Sequence, residues 1–153
     1  MYTAHDILIL NNRPMITGDS KSTIKEAVKI MNANNIGALV ITENGKITGI
    51  FTERDLLKNI ISDEFDINNS LVSDYMTRQL TSAPYDSSVY KLLDIFLGKR
   101  FRHILIERNG EYIGILSMGD VIKASLNQKS KELEDLNALV SWEYYENWRF
   151  KKQ

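Results

Sequence analysis

The sequence predicts an α+β fold made of two tandem copies of one strand-helix-strand-strand-helix unit, related by a pseudo-twofold axis. Gly49-Ile50-Phe51-Thr52-Glu53-Arg54-Asp55 returns 65 residues later, without a gap, as Gly114-Ile115-Leu116-Ser117-Met118-Gly119-Asp120. At the same offset Ile30 matches Ile95, Ile41 matches Ile106 and Lys58 matches Lys123. In each copy, two apolar runs flank an Asn-Gly pair, Asn44-Gly45 and Asn109-Gly110. Both residue types tolerate the positive φ of a tight hairpin turn, so each pair marks a hairpin. Duplicated units of this kind commonly pack about a twofold axis, each half covering the other's apolar sheet face.

Taken in order, Met1 to Asp6 is polar and reads as loose, and Ile7 to Leu10 is a short apolar run. Met15-Ile16-Thr17 is a brief strand candidate before Gly18-Asp19, in a turn-rich stretch where Pro14 restricts the backbone. Ile24, Ala27, Val28 and Met31 recur at helical spacing behind a Thr23-x-x-Glu26 capping box, and the helix should end near Asn34-Asn35. Residues 36–42 and 46–51 form the first hairpin, and a helix from about Thr52 carries Leu56, Leu57, Ile60 and Ile61 and runs out at Ser62. Residues 62–69 are a polar linker. The second copy repeats the plan: a lead-in helix over 71–76, a strand at Leu80-Thr81-Ser82 and a turn over 84–87. A helix striped by Val89, Leu92, Leu93 and Phe96 follows, then a hairpin of 101–107 with 111–116, and Val121-Ile122 open the last helix. Residues 6–64 and 70–128 are thus the two repeats, and 129–153 a helical extension.

That extension carries Leu133, Leu136, Leu139 and Val140 on one stripe and ends in Trp142, Tyr144, Tyr145, Trp148 and Phe150. Such aromatic density calls for a cover, either the chain's own module or a second copy. A membrane-surface helix fits less well, because the bases sit at the ends of the segment rather than along a polar face.

The seven-residue unit supports two readings. Thr52-x-x-Asp55 and Ser117-x-x-Asp120 have the form of capping boxes, in which the hydroxyl accepts from a first-turn amide and the acid answers the N-cap amide. Alternatively, a helix start with a hydroxyl and free amides suits a phosphate, and a carboxylate one turn in suits a pair of sugar hydroxyls. Together these groups would make a ribose-phosphate grip.

On the duplication, the Gly-apolar-x-Thr/Ser-x-x-Asp signature in both copies and the Arg102-His103-Ile104-Leu105-Ile106 strand, residues 6–128 resemble a tandem pair of CBS domains, the Bateman module. The resemblance implies a nucleotide in the cleft between repeats, held by the signature of one repeat with the short strand and hairpin entrance of the other. Thr52 and Asp55 would then face Ser82, Arg102 and His103, and a mirror site would set Ser117 and Asp120 against Thr17, Gly37 and Ala38. The basic entrance Lys99-Arg100-Phe101-Arg102-His103 suits phosphates, and the other copy replaces Arg102-His103 by Gly37-Ala38, which favours the Thr52/Asp55 site for a charged nucleotide. Ile36 and Phe101 are the candidate walls for an adenine ring. A bland account of the same run is a solvated surface, with His103 satisfied by a backbone carbonyl.

Composition narrows the function classes. A formal charge of -1 with 25% charged and 43% apolar residues fits a globular chain and gives no bulk electrostatic case for nucleic acid. The chain has no cysteine and two histidines, which removes thiol chemistry and sulfur-ligated zinc and leaves no metal-ligand spacing. Asp55 and Asp120 offer an acid and a base by residue type, but the duplication places them in separate equivalent clefts. No leader and no membrane-length apolar run stands out, so a cytoplasmic protein is expected. The expected function is non-enzymatic: a regulatory or energy-sensing module for an adenine nucleotide, AMP, ADP or ATP, with no catalytic cofactor. A homodimer acting on some regulated protein completes the expectation. The alternative is a structural or protein-binding module whose motifs serve only as caps.

Overall fold

The computed structural model describes the backbone of residues 1–150 and the side chains of residues 1–140. Its elements run α1 (Ala4–Asn11), β1 (Thr17–Asp19), α2 (Ile24–Asn34), β2 (Ala38–Glu43), β3 (Lys46–Thr52), α3 (Glu53–Asn59), α4 (Val72–Tyr75), β4 (Ser82–Pro84), α5 (Val89–Lys99), β5 (His103–Arg108), β6 (Glu111–Ser117) and α6 (Met118–Phe150). The α+β class and the pseudo-twofold repeat are as the sequence predicts.

Each repeat contributes a three-stranded sheet, β1-β2-β3 or β4-β5-β6, with the first pair parallel and the second antiparallel. The register is copied residue for residue. Thr17 lies opposite Val40 as Ser82 lies opposite Leu105, and Ala38 opposite Thr52 as His103 opposite Ser117. Both hairpins turn at Asn-Gly, with positive φ at Asn44, Gly45, Asn109 and Gly110, the conformation those residues were expected to supply.

Among the described residues, three apolar clusters hold the two repeats together. One joins Phe51, Leu39 and Ile41 to α2, another joins Leu116, Ile104 and Ile106 to α5, and the third, at the pseudo-twofold, packs Ala38, Val40, Ile50 and Leu105 between the two sheets. The lead-in segments are exchanged between the halves. Ala4 and Ile7 of α1 belong to the second repeat's core, and Val72 and Met76 from the α4 segment belong to the first's. Backbone pairing enforces the exchange: Thr3 bridges Ser88, and Thr23 bridges Leu71.

That exchange explains the motif glycines. Met76 lies so close to Gly49 that a Cβ there would meet its Sδ at 2.5 Å and the Thr77 carbonyl at 3.0 Å. Leu8 covers Gly114 in the same way, at 2.7 Å from the place of a Cβ.

Several expectations need correction. The N-terminus is not loose: Thr3 and Asp6 form a full capping box on α1, and Ala4 and Ile7 are buried. The short strands start two residues later than expected, at Thr17 and Ser82. In β1 this lets Gly18 sit against Leu39, whose side chain fills the space of a Cβ at 2.7 Å. Pro84 is tolerated because β4 is an edge strand that needs no donor there. The long hairpin strands begin at Ala38 and His103, because Asn35 and Arg100 adopt left-handed caps and the chain needs two residues to re-enter extended geometry. In α3 only Leu56 packs on the core, while Leu57, Ile60 and Ile61 are exposed. The helix lasts seven residues, Glu53–Asn59, so Ile60 is its C-cap and Ile61 lies beyond it, which ends it short of the expected Ser62.

The last repeat helix and the extension are one continuous helix, α6. It is tied down as far as Glu132: Gln128 accepts from the Tyr2 amide at 2.9 Å, and Tyr90 donates to Glu132 at 3.1 Å. Beyond that point Leu133, Leu136, Leu139 and Val140 are exposed, so this part of the stripe does not fold back on its own module. Trp142, Tyr144, Tyr145, Trp148 and Phe150 lie outside the residues whose side chains are described.

Candidate functional site

Two clefts open between the repeats, one at each Thr/Ser-x-x-Asp junction. The larger, a cavity of about 730 Å³, is bounded by Ser117 and Asp120 on one side and by Ile16, Ile36, Gly37 and Ala38 on the other. The smaller, about 250 Å³, joins Thr52 and Asp55 to Thr81, Phe101, Arg102 and His103. Only the larger falls in the range usual for a small-molecule site. The basic run therefore borders the smaller cleft, while the cavity of nucleotide size lies at the other copy of the motif.

Of the ten candidate residues, Gly37, Ala38, Ser117 and Asp120 are brought together in the larger cleft, and Thr52, Asp55, Arg102 and His103 in the smaller. Thr17 and Ser82 line neither. The two-residue shift of the short strands puts Ile16 and Thr81 at the cleft walls instead, and the Ser82 hydroxyl points to Glu107 at 3.4 Å. Ile36 and Phe101, expected as walls of an adenine slot, are equivalent positions and line different clefts. His103 and Gly37 line both, because they enter β5 and the approach to β2 beside the twofold.

The capping boxes form in full. Asp55 Oδ2 accepts from the Thr52 amide at 2.9 Å and hydroxyl at 3.0 Å, and Asp120 Oδ2 accepts from the Ser117 amide at 2.9 Å and hydroxyl at 2.7 Å. The same box occurs at Thr3/Asp6 and Thr23/Glu26, away from both clefts, so it is a folding device wherever it appears. What sets the cleft carboxylates apart is their second oxygen. Asp55 Oδ1 accepts from the Thr77 hydroxyl at 3.1 Å, whereas Asp120 Oδ1 takes the Arg13 guanidinium at 2.7 Å.

The free amides expected at these helix starts are fewer than four. The first is taken by a hairpin-approach carbonyl, Glu53 N by Gly37 O at 3.0 Å and Met118 N by Arg102 O at 2.9 Å, and the third by the capping hydroxyl. Only the second, on Arg54 and Gly119, is left.

Charge is arranged unevenly around the larger cleft. Arg13 lies on Asp120, and of the other lining residues Arg108 stacks over the Tyr85 ring at 4.9 Å while His5 meets the same ring edge-on. Burial pushes the His103 imidazole below its ordinary pKa of 6.5, against the opposing pull of Asp120 and Glu53, while Arg102 adds to the lowering. His103 is thus a neutral donor-acceptor at pH 7 rather than a fixed cation.

Thr77, Arg13, Arg108 and His5 were not anticipated. A signal for Thr77 and Arg13 was present, since each closely follows a lead-in segment, but it becomes readable only once the lead-ins are known to exchange. Among the described residues no cluster of three or more His, Asp or Glu could hold a metal, and no helix is long and apolar enough to cross a membrane.

The CBS domain family model matches residues 4–62 and 72–127. Over 127 residues the chain is 34% identical to the mitochondrial CBS domain-containing protein CBSX3 of Arabidopsis thaliana, covering 80% of this chain and 62% of that protein. It is 38% identical over 107 residues to an uncharacterised 17.7 kDa protein of Acidianus ambivalens, covering 69% and 63%. The chain therefore spans a little under two thirds of the length of these curated relatives. Among solved structures, a CBS-domain protein of Agrobacterium tumefaciens superposes with a TM-score of 0.76 at 37% identity, covering 81% of this chain and 99% of that one. The CBS domain pair of protein MJ0100, solved with 5'-methylthioadenosine and S-adenosyl-L-methionine, superposes with a TM-score of 0.72 at 25% identity, covering 84% and 98%. Proteins of this kind are generally regulatory, and none of these matches indicates a catalytic family. Two repeats, two clefts at their junction and a family match over both make the chain a member of the CBS-domain family, as a tandem pair.

Proposed function

We propose that this chain is a non-enzymatic regulatory module that binds an adenine nucleotide, AMP, ADP or ATP, chiefly in the larger cleft. The observation that carries this reading is the 730 Å³ cavity in which a helix-start hydroxyl and carboxylate, Ser117 and Asp120, lie with apolar walls at Ile16 and Ile36 and guanidinium groups at Arg13 and Arg108. Ribose hydroxyls donate to the carboxylate, phosphates take the guanidinium forks and the Gly119 amide, and the base fills the apolar side. The adenosyl ligands of the MJ0100 pair support the choice of nucleoside. The Thr52/Asp55 cleft, with Thr81, Arg102 and His103, is the secondary site on this reading, and at about 250 Å³ it must widen to admit a nucleotide.

A homodimer that passes the ligand's presence to a regulated protein completes the proposal. The exposed Leu133, Leu136 and Val140, at three- and four-residue spacing on a projecting helix, support pairing of two copies.

The reading is tested by calorimetric titration of the ligand-free protein with AMP, ADP, ATP and their guanine counterparts. Saturable binding of at least one adenine nucleotide, tighter than its guanine counterpart, is expected. Absence of heat with every nucleotide at millimolar concentration overturns it. That result would favour the second reading, a structural or protein-binding module, which the presence of capping boxes outside the clefts, at Thr3/Asp6 and Thr23/Glu26, supports.

A further inference from the structure

We propose that Arg13 is a built-in counter-ion of the larger cleft, which a ligand must lift from Asp120, and that it makes this cleft select nucleotides over uncharged nucleosides. The proposal rests on the reading of that cleft as an adenine-nucleotide site.

Asp120 has two oxygens, and the fold uses one. Oδ2 is committed to the Ser117 amide and hydroxyl, so a ribose diol can be gripped only with the help of Oδ1. Oδ1 is held by Arg13 Nη2 at 2.7 Å. Asp120 is fixed, with a side chain 16% exposed at the start of a 33-residue helix, while the Arg13 side chain is 65% exposed. Arg13 reaches the site because the left-handed Asn12 cap ends α1 and turns the chain across the start of α6. It is the partner that can move.

Displacement has a consequence that depends on the ligand. A nucleoside that takes Oδ1 strips Arg13 of its carboxylate and returns nothing to it, beside a cleft that already holds Arg108. A nucleotide supplies a phosphate whose oxygens match the guanidinium fork, so the arginine exchanges one anion for another. The smaller cleft sets no such condition. Asp55 Oδ1 is held by the Thr77 hydroxyl, a neutral group that can rotate to accept from an incoming ribose. Arg78, which matches Arg13 in the duplication, is turned away onto the Ser73 carbonyl at 3.1 Å.

The experiment is calorimetric titration of the full chain and of its Arg13→Gln variant with adenosine and with AMP. Arg13 lines only the larger cleft, and its exposure means that its loss should leave the melting curve nearly unchanged. Expected is a change of opposite sign for the two ligands: AMP weakens and adenosine tightens, each by roughly three- to tenfold, a charge-assisted contact attenuated by solvent. Arg13→Lys, which keeps the charge and loses the fork, should fall between. If both affinities move together, or neither moves, Arg13 is not the selector and the proposal is overturned while the nucleotide reading stands. If the parent chain binds neither AMP nor adenosine, nor any other adenine nucleotide, the reading of the cleft fails and takes the proposal with it.

Discussion

The two clefts come from copies of one motif with the same strand register and the same capping box, yet they hold their carboxylates differently. In the smaller, the second oxygen of Asp55 accepts from the Thr77 hydroxyl; in the larger, that of Asp120 accepts from the Arg13 guanidinium. The cause lies in the lead-in segments. After α4, Met76 is extended, and Thr77 pairs its backbone with Ile50, which brings its hydroxyl onto Asp55. After α1, Asn12 is left-handed, and the chain swings Arg13 over Asp120. The repeat fixes the geometry of the cap, and the segment borrowed from the other repeat decides the charge that meets it.

The largest expected effect tests whether the clefts depend on the packing between sheets. Leu105 is fully buried in the cluster at the twofold, so Leu105→Ala should cost about 2–5 kcal/mol in denaturant melts and loosen both clefts together. A loss confined to one cleft would mean that the halves are independent.

A smaller contrast separates the two lead-ins. Gly49→Ala should destabilise by about 1–3 kcal/mol, because its Cβ meets the Thr77 backbone oxygen as well as Met76. Gly114→Ala should cost less, since the nearest atoms it meets all belong to the Leu8 side chain and none to backbone. Equal melting temperatures for the two variants would contradict the difference drawn between the segments.

Much of this architecture was legible in the sequence, and the gaps have physical causes. The 65-residue offset gives the repeat, and Asn44-Gly45 and Asn109-Gly110 give the hairpins, because such signals are local and steric. The strand shift at Thr17 and Ser82 was not legible, since it depends on how closely Gly18 can approach Leu39 in another strand. Nor was the Thr3/Asp6 helix read, although its Thr-x-x-Asp pattern was present, because the residues before Ile7 show no apolar period of their own. For the candidate site, the sequence names the carboxylates and hydroxyls but not Arg13 or Thr77, which reach them only through the exchange. The basic run pointed to one cleft, and cavity size, a tertiary property, points to the other.

A still smaller effect concerns the residue shared by both clefts. Burial keeps the folded-state pKa of His103 below 6.5, so the unfolded chain binds its proton more readily. Stability from this group is present above about pH 6.5 and is lost as pH falls through the folded value, with Asp120 and Glu53 opposing the loss and Arg102 adding to it. Asp6, whose pKa is lowered by the Thr3 amide and hydroxyl, titrates below 3.8 and stays out of this window. Chemical melts at pH 7.5 and 5.5 should show a smaller acid loss in His103→Gln than in the parent. An identical loss would place the titrating group elsewhere.

The most direct test of the central claim, that Asp120 is a ligand grip as well as a cap, compares Asp120→Asn with Asp55→Asn. Asn keeps an oxygen that can accept from the N-cap amide but removes the charge that favours two ribose donors. If the larger cleft is the principal site, Asp120→Asn weakens the best-binding adenine nucleotide about ten- to a hundredfold in calorimetry, with a modest fall in melting temperature, and Asp55→Asn changes affinity far less. Unchanged affinity in Asp120→Asn alongside a clear loss of stability would show that its carboxylate is only a helix cap.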